Sequence, residues 1–415
     1  MLRRLAAYLE RFFGFRREVD SLQDSRVRPQ IATANIWLSC FAMFAGRMGS
    51  FNGIEQELRR PRRWERFVGQ RKPSADTMGR VCSKLSLESL RSFLVHVNHQ
   101  AWRSKSVHPD RPGQTYRVVA VDGHELGASK ARCCKQCLVR EVKAGETTVK
   151  EFYHRVVVAQ WIGVTPPGIL DVELVLPGEG EVVAARRLLG RIFQAYGRLI
   201  DVICGDALYL EAPFCSMVLQ ARKHFVVVMK QEVRELYQDA DGLRALSDPQ
   251  VVVDGAKTSR IWDLGDLSSF TTLGHDVRVV WAEESTERSK VVAGKKIEVV
   301  DANTWVWVTD LPATAVPATK VAYWGHDRWD LENRGFNELA AHWGMDHYFL
   351  HDPVAIQALL LTLAIAFLTT YLFYERNLKP AARRHMSRLA FAHRLMEDLS
   401  LPGTASIWPP DRPSG

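Results

Sequence analysis

The chain has 415 residues, of which 47% are apolar and 25% charged, an ordinary globular balance that excludes a disordered, collagenous or coiled-coil protein. At one domain per ~150 residues, two or three units are expected. Fifty-five Lys and Arg against 47 Asp and Glu leave a net charge of +8, which hints at a polyanionic partner and proves nothing alone. The seven cysteines are too few, and odd in number, for a disulfide scaffold. The N-terminal stretch MLRRLAAYLERFFGFRREVD lacks a long apolar core and a small-residue cleavage site, so a reducing cytoplasmic compartment is expected.

The positive charge is concentrated at the start. Residues 1–111 hold 21 basic and 10 acidic side chains; the remainder holds 34 and 37. The densest run, ELRRPRRWERFVGQRK, carries Arg59, Arg60, Arg62, Arg63 and Arg66 around Trp64. A solvated basic surface is the plain reading; contact with nucleic-acid phosphates, with an aromatic interleaved, is the sharper one. The same quarter reads as helical. ATANIWLSCFAMFAGRMG ends at Gly, and PSADTMGRVCSKLSLESLRSFLVHVNHQAW has apolar spacings of three and four residues with start signals at Ser74 and Ser86. Two short helices joined at Ser86 would suit a helix-turn-helix or any small bundle.

HPDRPGQ, residues 108–114, punctuates the chain, and β-branched runs follow. YRVVAVDG, HRVVVAQWIG and GILDVELVL predict strands. EGEVVAARRLLGRIFQAYG predicts a helix ending at Gly197, LIDVICGD a strand, EAPFCSMVLQARK a helix and KHFVVVMK a strand. This order suggests a mixed sheet with helices packed on it. From 232 to 300, SRIWDLGDL, DVRVVWAEES and KKIEVV read as a β-rich insertion, after which NTWVWVTDLP resumes the core. Residues 353–374, PVAIQALLLTLAIAFLTTYLFY, are long enough to cross a bilayer. With Gln357 and three threonines, and alone in the chain, the segment is expected to be a buried core helix. The tail PGTASIWPPDRPSG has a disordered composition.

Asp122 ends the first core strand and Asp206 the fourth. Each acid alone would most simply cap a turn. Brought together at one sheet edge they repel, and a hard divalent cation, Mg²⁺ or Mn²⁺, would relieve that. Glu332, four residues after Arg328 in GHDRWDLENRGFNEL, is the third candidate; the two form either a helix-surface ion pair or a metal ligand beside a phosphate-binding Arg. In CCKQC, Cys134 and Cys137, soon after His124 and ahead of His154, have the spacing of half a zinc site; ordinary reduced thiols are the alternative.

The acids, spaced 84 and 126 residues apart, and the RWxxEN string resemble the DDE transposases of the bacterial group typified by insertion sequence four. The resemblance covers roughly residues 30–375. It implies an α/β fold: an RNase H-like mixed sheet with flanking helices, interrupted by a β-rich insertion, plus an all-α N-terminal domain. The expected divisions are 1–112 (basic, helical, DNA-binding and dimerising), 113–231 and 301–376 (the two parts of the catalytic core), 232–300 (the insertion) and 377–415 (a helix and tail). It implies Asp122, Asp206 and Glu332 as catalytic residues and ligands of two Mg²⁺ or Mn²⁺ ions, with Asp122 shared between them. It also implies Arg328 as a DNA contact and Trp305 as a base-stacking residue, a strand Trp filling the core being the equal alternative. The implied partners are double-stranded DNA, as transposon ends and target, and a second copy of the chain on paired ends; no membrane is involved, and the chain would lie with the nucleoid in the cytoplasm. Two positions depart from the group's Tyr-Arg-Glu-Lys signature: Gly325 stands for the Tyr and Leu339 for the Lys. Lys320, His342 and His347 are candidate substitutes. A DNA-binding relative without catalytic activity is therefore the alternative function.

Overall fold

A computed structural model describes residues 1–59, 65–145, 147–292, 295–400 and 407–409. The N-terminal quarter is helical: α1 (Leu2–Phe13), α2 (Phe15–Asp20), α3 (Thr33–Ala45), α4 (Phe51–Arg59), α5 (Glu65–Val68), α6 (Ala75–Cys82) and α7 (Leu87–Arg103). Leu2, Leu5, Leu9 and Phe13 make one buried stripe along α1, the spacing of an amphipathic helix. Ser74 and Ser86 cap α6 and α7 by accepting the backbone N–H of Thr77 and Ser89, each satisfying an otherwise orphaned donor.

The strands are β1 (His108–Pro109), β2 (Val118–Ser129), β3 (Leu138–Ala144), β4 (Thr147–Ile162), β5 (Val164–Thr165) and β6 (Ile169–Leu174). Helix α8 (Glu181–Tyr196), β7 (Val202–Gly205), α9 (Ala212–Gln220) and β8 (His224–Val228) follow. Next come α10 (Glu235–Ala245), β9 (Gln250–Asp254), β10 (Lys257–Leu267), β11 (Val277–Val292) and β12 (Lys295–Thr309). β1 and β5 form a small pair; the other ten strands form one sheet in the order β3-β4-β2-β7-β8-β12-β11-β10-β9, with β6 on the free half of β4. β2 runs parallel to β7, and β7 to β8, while β4 and β12 are antiparallel to their neighbours. This mixed α/β sheet with many helices is consistent with an RNase H-like domain. The strands of residues 232–300 extend the same sheet: β12 spans residues on both sides of position 300 and bonds to β8.

The C-terminal helices are α11 (Ala318–Asp327), α12 (Asn337–Trp343), α13 (Pro353–Asn377), α14 (Pro380–Arg384) and α15 (Arg388–Ser400), with a π-helical turn at Leu331–Phe336 before α12. Helix α13 is long and apolar enough to cross a membrane, yet 89% of its most apolar window is buried inside the protein, among α3, α7 and β6. Its polar groups are satisfied internally. Thr362, Thr369 and Thr370 donate to carbonyls one turn back, Trp37 of α3 donates to Thr362 Oγ1 at 2.9 Å, and Arg91 of α7 donates to Gln357 Oε1 at 2.8 Å. Asp352 caps the helix through the Ala355 N–H. A helix apolar all round belongs in a protein core once its few polar atoms are paired.

Candidate active site

Strand register brings the first two acids together. Val118 pairs with Val202 and Ala120 with Cys204 across the parallel strands β2 and β7. That offset is 84 residues, the separation of Asp122 and Asp206, so both acids stand level at the same edge. Asp206 sits just past β7 and caps the short turn Ala207–Tyr209 by accepting the Leu208 N–H at 2.9 Å. The capping role and the site position therefore coexist in one carboxylate.

Glu332 lies in the π-helical turn. Arg328, buried at the end of α11, joins it to the other acids: its Nη1 donates to Asp122 Oδ2 at 2.6 Å and lies 3.4 Å from Glu332 Oε1. The guanidinium thus bridges two acids instead of merely flanking Glu332.

A fourth acid, Glu181, completes the cluster. It is the first residue of α8, and a Cβ on Gly123 would fall 2.0 Å from its Oε2. Tyr209, fully buried, donates to Glu181 Oε1 at 2.7 Å, and Arg155 lies 3.4 Å from Oε2. A glycine after Asp122 is what lets this carboxylate approach the strand. Its sequence signal was an acid opening a helix straight after a strand, which is also ordinary helix-dipole chemistry.

Burial pushes the Asp122 carboxyl up to about 6; Arg328 pulls against this, while Asp206 and Glu181 push it further. Burial and the nearby Glu181, Asp122 and Asp206 charges likewise hold the Tyr209 hydroxyl far above its ordinary value. A half-buried site with surplus negative charge and hard oxygen donors fits Mg²⁺ or Mn²⁺. Among the described residues, the three acids do not form a set of ligand atoms all within 4.8 Å of one another. Glu332, paired with Arg328, has a side chain 46% exposed.

The signature departures have packing causes. A Cβ on Gly325 would lie 2.0 Å from the indole nitrogen of Trp307, so no larger side chain fits there without repacking. Leu339 is buried, in a place hostile to an ammonium. Tyr323 is exposed and Trp324 buried. Lys320 donates to the Gly113 carbonyl, and His342 and His347 are exposed. Trp305 is half-buried on β12, its ring 5.2 Å from that of His326 and 5.8 Å from that of Trp329, itself 45% exposed.

Of the basic run, Arg59 ends α4 and pairs with Glu55, and Arg66 lies half-buried in α5. Arg60, Arg62, Arg63 and Trp64 lie outside the described residues. Cys134 and Cys137 converge on His154, with all three ligand atoms within 4.8 Å. His124 is elsewhere, its Nε2 2.6 Å from Asp346 Oδ1.

No curated protein matches the chain. The family model of the transposase DDE domain matches residues 113–369, from just before the first acid-bearing strand to within the buried helix. With more than half of its length matched, and with two acids level on adjacent parallel strands, the chain belongs to the DDE-domain transposase family.

Proposed function

We propose that the protein is an active DNA transposase of the insertion-sequence-four type, cutting transposon ends and joining them to target DNA. The observation that carries this reading is the Asp122–Arg328–Glu332 bridge beside Asp206. Asp122, Asp206 and Glu332 would hold two Mg²⁺ or Mn²⁺ ions, which when bound activate the attacking water or 3′-hydroxyl and stabilise the leaving oxygen. The residues do the rest. Asp122 is buried and disfavours carrying its charge alone, so cation binding is favoured there. With Asp122 and Glu332 engaged as ligands, Arg328 would be free of both and could take the scissile phosphate. Tyr209 and Arg155 hold Glu181 in place at the edge of the cluster. The basic run around Arg59, Arg60, Arg62, Arg63 and Arg66 would contact DNA phosphates, and Trp305 would stack on an unpaired base. Two copies would act together on paired ends.

Gly325 and Leu339 favour a second reading, a relative that binds DNA without cutting it. The two are separated by incubating labelled DNA carrying the element's own end with Mg²⁺ or Mn²⁺, using the wild type and Glu332→Gln. Transposase activity is expected to nick the end in the wild type only, with both proteins binding. Binding by both without any cleavage would sink the catalytic reading.

A further inference from the structure

We propose that Cys134, Cys137, His154 and His351 form a structural zinc site that ties three separate segments to the strand bearing Asp122. The proposal stands independently of the catalytic reading.

The four residues come from different places. Cys134 and Cys137 lie in the connection between β2 and β3, His154 is on β4, and His351 lies in the loop before α13. The ligand atoms of Cys134, Cys137 and His154 lie within 4.8 Å of one another, and His351, within reach of Cys137 alone, would turn in to complete the set. The two sulfurs are 3.6 Å apart. His154 Nε2 is 3.4 Å from each of them, and His351 Nδ1 is 3.8 Å from Cys137 Sγ. Zinc with ordinary Zn–S and Zn–N bonds in a tetrahedron sets sulfur–sulfur edges of about 3.8 Å and sulfur–nitrogen edges of about 3.6 Å. All four separations match those edges to within a few tenths of an ångström.

Neither a disulfide nor hydrogen bonding accounts for the cluster. A disulfide needs sulfurs about 2.0 Å apart, and both cysteines are free thiols. Hydrogen bonds would hold the group only loosely, because thiols are weak donors and weak acceptors. His154 is fully buried, its Nδ1 has no partner among the described residues, and its Nε2 faces only the two sulfurs. A buried imidazole so placed is costly unless something better than a thiol meets it. The CxxC turn is already closed, with the Cys134 N–H donating to Cys137 Sγ at 3.1 Å and the Cys137 N–H to the Cys134 carbonyl at 3.2 Å. Two thiolates and two imidazoles select zinc over the hard cations that suit the acid cluster.

The position gives the ion a role. Tyr348 Oη accepts the His154 N–H at 2.8 Å, and Asp346 in the same loop meets His124, two residues along β2 from Asp122. Fixing His351 therefore fixes the loop that braces the catalytic strand.

The test is the metal content of the full-length protein, purified without chelator, together with the absorption spectrum after exchange with Co²⁺. Roughly one zinc per chain and a thiolate-to-cobalt charge-transfer band with tetrahedral d–d bands are expected. Cys137→Ser and His351→Ala should lose most of the bound ion, whereas Cys133→Ser, at the exposed neighbouring thiol, should keep it. Should Cys137→Ser fail to fold, His351→Cys decides: it should retain the ion and strengthen the charge-transfer band. Absence of zinc in the wild type, even after incubation with Zn²⁺, would overturn the proposal. Equal loss in Cys133→Ser and Cys137→Ser, or an unchanged cobalt spectrum in His351→Cys, would overturn the ligand set.

Discussion

Asp122 sits in a conflict that only an added positive charge settles. Its carboxyl is buried beside two other acids, and Arg328 offsets that only in part. Glu181 shares the conflict, so it should matter to the chemistry although it falls outside the three-acid pattern. Glu181→Gln keeps the shape and the Tyr209 contact. End cleavage at saturating Mg²⁺ is expected to fall about 10- to 100-fold, the usual effect of removing a group that supports a metal site. The thermal midpoint should stay put; an unchanged cleavage rate would make Glu181 a packing residue only. His224 offers a separate test of electrostatics. Its Nδ1 lies 2.6 Å from Asp310 Oδ2, and this hydrogen bond raises its pKa, against the burial that lowers it. A folded value above the unfolded ~6.5 means the pair stabilises fully below about pH 6.5, and that contribution is lost as pH rises through the folded value. His224→Gln should therefore lower the unfolding midpoint more at about pH 5.5 than at about pH 9; an equal loss at both would refute the assignment.

At the scale of elements, α11 and the π-helical turn present Arg328 and Glu332, and their seat on the sheet depends on close approach. Gly325 packs against Trp307 with no room for a Cβ. Restoring the family's tyrosine with Gly325→Tyr should therefore not improve activity. It should destabilise by at least the ~1–3 kcal/mol typical of overpacking, measured by denaturant unfolding. Trp307→Ala in the same chain should recover part of that loss, because the clash is with that ring; no recovery would mean the strain lies elsewhere. Helix α13 shows the same dependence on context. Its composition alone fits a bilayer, whereas its threonines, Gln357 and Asp352 all find partners within the protein.

Over the whole molecule, the N-terminal quarter carries the net positive charge, as 21 basic against 10 acidic residues in 1–111. The described helices of this quarter share one apolar core with the sheet domain. Replacing Arg59, Arg62 and Arg63 by Ala should weaken binding to all DNA sequences alike. It should also flatten the log–log salt dependence by about 0.9 for each phosphate no longer neutralised. An unchanged slope would show that these arginines only solvate the surface. Much of the fold is legible in the sequence. Apolar patterning marks strands β2, β4, β6, β7 and β8 and helices α3, α7, α8, α9 and α13, because apolar burial imposes spacing on the sequence itself, whereas the largely exposed β3 and the two-residue β1 and β5 leave no such mark. Asp206 is legible because it closes a strand and Glu332 because it shares a helical turn with an arginine; Asp122, expected to end its strand, instead lies within β2, which pairs with β4 on to Ser129. Helix α10 gives no such signal, since few of its residues face the core. The continuous strand across position 300 is hidden as well, because pairing with β8 is a matter of partner and not of composition. The amino-acid sequence by itself determined the apolar core elements, the acid spacing and the charge asymmetry, all of which arise from local preference or simple count. Only the tertiary structure decided that Arg328 bridges Asp122 and Glu332, that Glu181 joins them, and that His154 meets Cys134 and Cys137 with His351 beside Cys137, because contacts between residues tens to hundreds of positions apart are set by packing and register.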